Sequence, residues 1–71
     1  IHMNMLLKNR TYRVENMLDV DIHVLGIKYI DKDYFKIKVC YVYRNNPSEV
    51  IMDNGVYKLY FEDFKRWKLL S

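Results

Sequence analysis

Seventy-one residues, 51% hydrophobic and 15% aromatic, make one ordered domain close to the lower size limit, where a chain buries only about 60% of its unfolded surface. A single cysteine excludes an internal disulfide framework and a multi-cysteine zinc site, and a formal net charge of +3 falls short of the strong basic stripe of a dedicated polyanion binder. No apolar stretch approaches the roughly 18 residues that span a bilayer and no signal-peptide pattern opens the chain, so the sequence reads as cytoplasmic, without a membrane partner.

The opening Ile1-His2-Met3 resembles a cloning remnant, so Ile1 and His2 are set aside and one domain is taken to span residues 3–71. The chain contains no alanine but is rich in Val, Ile and Tyr, a composition that favours strands over a helical bundle. A first short strand is expected around Arg10 to Glu15, with Tyr12 and Val14 on one side. Asn9-Arg10-Thr11 matches a glycosylation sequon, a match without consequence in an unsecreted chain. The polar Asp19-Val20-Asp21 then reads as a connection.

Ile22 and Val24 share one phase of the next strand, and Ile27 and Tyr29 continue in the opposite phase. A β-bulge near Leu25-Gly26 is therefore predicted, and bulges bend strands. Asp31 to Tyr34 form a tight connection, so residues 21–31 and 34–44 should make a long antiparallel hairpin. Its second strand begins with strict alternation, in which Phe35, Ile37 and Val39 face a core and Lys36 and Lys38 face water. From Val39 to Tyr43 it is apolar on both faces, so that Cys40 and Val42 need a second cover. That cover is either the chain curling around its own strand or an interface with a partner or a second copy.

Asn45-Asn46-Pro47 signals a turn, Glu49 to Met52 a short strand, and Asp53-Asn54-Gly55 a hairpin turn. Val56 to Phe61 gives another strand, with Tyr57, Leu59 and Phe61 opposite Val56, Lys58 and Tyr60. At the end Phe61, Phe64, Trp67 and Leu70 recur every third residue, which predicts a single 3₁₀ or α turn with Trp67 buried. Glu62 and Asp63 at its start, with Lys65, Arg66 and Lys68 near its end, complement the helix dipole.

Five or six short strands, a long bent hairpin and one helical turn before a last strand resemble the plan of SH3-like small β-barrels, Tudor-type domains included. The resemblance covers about residues 10–70 and lies in element order alone. The segment and tandem tryptophan of signalling SH3 domains do not occur, so no binding residue carries over. The expected fold is mostly β, a small five- to six-stranded antiparallel SH3-like barrel with one short C-terminal turn.

Catalysis finds no support in the residue types. Cys40 sits in an apolar run that raises a thiol pKa, His23 has no nucleophile beside it, and Ser48 and Ser71 have no base. Asp19 with Asp21, and Asp31 with Asp33, supply too few oxygens for a calcium loop, and Lys32 opposes a cation, so no metal or cofactor is expected. Lys28, Lys36 and Lys38, with Arg44 at the far end and with Lys58 and Tyr60 on a neighbouring strand, make a basic face with an interleaved aromatic. Single-stranded nucleic acid is bound by such faces, although strand lysines also serve solubility. A cage for a methylated cation from Tyr41, Tyr43, Tyr57 and Tyr60 is a further reading. The tyrosine-rich, bipolar surface points first to a non-enzymatic protein-interaction module, monomeric or weakly dimeric, acting as an inhibitor or accessory protein by occupying a partner's surface. Nucleic-acid binding is the alternative. The abundance of Lys, Asn, Ile and Tyr with no Ala suggests an AT-rich genome, and with the short chain it fits phage or mobile-element proteins.

Overall fold

The computed structural model describes residues 6, 8–52 and 55–70, with Met52 described through its backbone alone. Its elements in chain order are β1 (Thr11–Val14), β2 (Val20–Ile30), β3 (Tyr34–Tyr43), β4 (Asn46–Met52), β5 (Tyr57–Tyr60), α1 (Phe61–Phe64) and β6 (Trp67–Leu69). All pairings are antiparallel, in the order β4-β3-β2-β1-β6, and β5 also pairs with β3. The chain is thus mostly β with one short helix, as its composition implies.

The long hairpin of β2 and β3 is the spine of the sheet. Its register shifts between Val24 and Gly26, the place where the apolar phase changes in the sequence. A backbone with negative φ would accept any residue at Gly26, and a side chain there would meet nothing within 4 Å, so the bulge does not depend on the glycine. A second shift, between Ile27 and Tyr29, is invisible in the sequence. It turns Tyr29 away from the core, to lie opposite Lys36 and 52% exposed.

β3 turns into β4 through Arg44 and Asn45, with Tyr43 opposite Asn46, so the turn comes one residue before the expected Asn-Asn-Pro and Pro47 already lies in the strand. An edge strand tolerates proline because its outward N–H has no partner to lose. Among the described residues β4 and β5 do not pair with each other, as a hairpin at the expected Asp53-Asn54-Gly55 would require. Both strands pair with the same edge of β3 and run in the same direction, with Cys40 opposite Met52 and Ile37 opposite Tyr57. Between these two pairs β3 advances by three positions and the neighbouring chain by five, so two extra residues interrupt what is otherwise one long edge strand. Asp53 and Asn54 themselves lie outside the described residues.

Barrel closure is the other departure. β6 ends one side of the sheet and β4 with β5 the other, and no pairing joins them among the described residues. Phe61 to Phe64 instead carry the chain across the gap, so the sheet stays open along a seam. The core fills its concave side: Leu6, Tyr12, Ile22, Val24, Ile37, Val39, Leu59, Phe64 and Trp67 are buried together. Tyr12, Phe64 and Trp67 form a triangle of rings with centroids 5.6 to 5.8 Å apart, in the edge-on and tilted geometries that aromatic quadrupoles favour. Leu70 does not join them. Trp67 starts a strand, so the period falls to two and Leu70 lies on the other face, 42% exposed. Lys65 and Arg66 follow α1 rather than ending it, and pair back with Glu62 and Asp63 in exposed contacts that add little stability.

Candidate functional site

Strand alternation sorts every candidate residue onto one of two faces. Phe35, Ile37, Val39 and Tyr41 of β3 belong to the core side, so Lys36, Lys38, Cys40 and Val42 lie on the outer face. Cys40 lies between His23 of β2 and Met52 of β4, and is 5% exposed without any second copy present. His23, between Ile22 and Val24 in β2, is not on open solvent. It is half-buried, with Nδ1 2.9 Å from Thr11 Oγ1. Burial pushes the Cys40 thiol pKa up, which leaves less thiolate near neutral pH. Iodoacetamide is therefore expected to label Cys40 slowly in the native protein and rapidly in denaturant; equal rates in both, followed by mass spectrometry, would overturn this placement. Val42 is half-buried, opposite Asp21 on one side and Val50 on the other.

The basic candidates divide. Arg44 lies at the opposite end of β3 from Lys36, about 26 Å away at strand rise, and its charge is already engaged. Its Nε donates to Asp21 Oδ1 at 3.0 Å and its Nη2 to the Met17 carbonyl. Asp21 in turn is no turn residue. It lies in β2, and also accepts a bidentate pair from Arg13 Nε and Nη2 at 2.9 and 3.0 Å. The Arg13 hydrogen bonds, together with its charge and that of Arg44, hold the Asp21 carboxyl below its ordinary pKa, against an opposing effect of burial. Lys28 is exposed within the second irregularity of β2, and Lys38 is half-buried opposite Gly26.

Lys36, Lys58 and Tyr60 do come together. Lys36 stands directly between Tyr29 of β2 and Lys58 of β5, and in the next row Tyr34 stands opposite Tyr60. Tyr34 packs against Tyr29 at 6.4 Å and edge-on against Tyr60 at 5.7 Å, and the Lys58 ammonium sits 4.6 Å from the Tyr34 ring centre. Tyr29 and Tyr34 are the members that the sequence reading omitted. Tyr34 could have been found from its alternation with Phe35, whereas the second bulge hid Tyr29. The methyl-cation cage is not assembled: Tyr41 packs on the core, Tyr57 shares the face of Ile37, and Tyr60 is on the other face.

A cleft of about 380 Å³ opens where the sheet fails to close. Val14, Met17, Ile22, Tyr57 and Trp67 line it, with Glu15, Asp63 and Arg66 at its polar margin. The outer edge of β4 and β5 beside it has no strand partner among the described residues. Along that edge Val50, Ile51, Val56 and Tyr57 are 39% to 55% exposed. Among the described residues no group of three His, Cys, Asp or Glu side chains could hold a metal ion, and no helix is long and apolar enough to cross a membrane. No family model, curated protein or solved structure matches the chain.

Proposed function

We propose that this chain is a small non-enzymatic protein-interaction module of SH3-like arrangement, acting as an inhibitor or accessory protein by occupying a partner's surface. The observation that carries the reading is the seam cleft beside an unpaired strand edge. Its 380 Å³ lies within the range of about 300–1,000 Å³ over which clefts seat ligand groups. An extended partner segment can satisfy the free backbone groups of the β4 and β5 edge while one apolar side chain enters the cleft against Tyr57 and Trp67. Exposed Val50, Ile51 and Val56 supply apolar contact along the same line. The order of elements, with β1 paired to both β2 and the last strand and a helical turn before that strand, supports the SH3-like arrangement.

The test is partner capture from host extract, followed by direct binding of the purified partner to the wild type and to Tyr57→Ala and Ile51→Lys. Both substituted residues are exposed, so the variants should melt like the wild type. Loss of at least tenfold in affinity in either variant is expected, because anchors at a small interface carry most of its binding energy. A partner bound equally well by both variants would overturn the cleft and edge as the working surface.

A further inference from the structure

We infer that the outer face around Tyr29, Tyr34, Tyr60, Lys36 and Lys58 is a binding site for single-stranded nucleic acid, separate from the seam cleft. Two features of the pairing point there. First, Lys36 and Lys58 lie directly opposite each other on adjacent strands, an arrangement in which like charges repel. Neither has an acidic partner among the described residues. The relief visible in the fold is partial, since only Lys58 is turned over the Tyr34 and Tyr60 rings, 4.6 and 5.9 Å from their centres. A phosphate between the two ammonium groups would remove the repulsion that the sheet otherwise sustains.

Second, large aromatic side chains stand on this face where solubility alone would call for polar residues. Tyr29 is 52% exposed and Tyr60 46% exposed, on either side of the half-buried Tyr34. Tyr34 packs against both and so fixes their positions, which leaves the two outer rings as prearranged surfaces for unpaired bases. A duplex keeps its bases stacked on each other and would offer the rings nothing. Asp31 and Asp33, in the turn between β2 and β3, repel phosphate at that end of the face. The backbone of the strand is therefore set on the side of Lys36, Lys58 and Lys38, with the bases toward the tyrosines.

The experiment is fluorescence anisotropy of a labelled oligothymidylate and of the corresponding duplex, at low and raised salt, with the wild type, Tyr29→Ala, Tyr60→Ala and the double variant Lys36→Ala/Lys58→Ala. Binding of the single strand in preference to the duplex is expected. Each tyrosine variant should lose about 5- to 150-fold in affinity from the stacking of one base. The double lysine variant should reduce the salt slope by roughly one to two units. Melting temperatures near that of the wild type would show that the exposed substitutions leave the fold intact. Failure to bind at low salt, equal binding of the duplex, or affinity untouched by both tyrosine variants would each overturn the site. Tyr57→Ala should leave oligonucleotide affinity unchanged, so the cleft and this face stand or fall separately.

Discussion

Replacing Trp67 by alanine is expected to remove about 3–5 kcal/mol of stability, the usual loss when a buried large aromatic is truncated. A domain of this length holds roughly 4–11 kcal/mol in total, so the variant should lose from about a quarter to all of its stability. The effect concentrates at Trp67 because β6, among the described residues, pairs with β1 alone. Trp67 stands opposite Val14 there and reaches Tyr12 and Phe64 at ring distances of 5.7 and 5.8 Å. Truncation would free the last strand and strip the aromatic triangle of a corner at once. Trp67→Phe keeps a ring in the site and should lose less than half as much. Urea denaturation followed by circular dichroism reports both variants, since the only tryptophan fluorescence disappears with the substitution. A loss below about 1 kcal/mol, the level of an average substitution, would mean that the ring does not tie β6 to the core.

Local pattern made the strands legible and left their lateral placement dark. Alternation through Phe35, Ile37 and Val39 located the core face of β3, and the phase change after Val24 located the first bulge. The second bulge left no trace because Ile27-Lys28-Tyr29 alternates as an unbroken strand would. Asp53-Asn54-Gly55 misled for a related reason. A turn signal reports that the chain changes course, whereas the partner of the next strand is decided by distant residues, here the free edge of β3 beyond Ile37. Tyr60 and Lys58 could be assigned to the wet face from period two alone, yet their meeting with Lys36 depends on that edge pairing. Closure of the barrel, too, depends on lateral contacts that local pattern does not encode: among the described residues β6 pairs with β1 and not with β4 or β5.

Asp21 shows the same limit in electrostatic form, and its replacement by asparagine should have the second-largest effect, a loss of about 2 kcal/mol at neutral pH. With Asp19 two residues before it, it read as part of a polar connection, but its carboxylate is 10% exposed between Arg13, eight residues away, and Arg44, twenty-three away. The cover comes from guanidinium groups that still touch water, at 43% and 26% exposure, rather than from the apolar core. The loss is therefore set below the larger values for deeply buried ion pairs. Asparagine cannot accept all three N–H donors and turns its own amide hydrogens toward a cation, so the tie among β1, β2 and the turn after β3 would slacken. The acid limb follows from the lowered pKa. The folded state holds the Asp21 proton less tightly than the unfolded chain, whose aspartates titrate near 3.9. Stabilisation from this group is complete above that value and is lost as pH falls through the lower folded pKa. The wild type should thus lose stability on acidification more steeply than Asp21→Asn, the two curves converging at low pH. Parallel curves would show that the pairing with Arg13 and Arg44 contributes nothing to the fold.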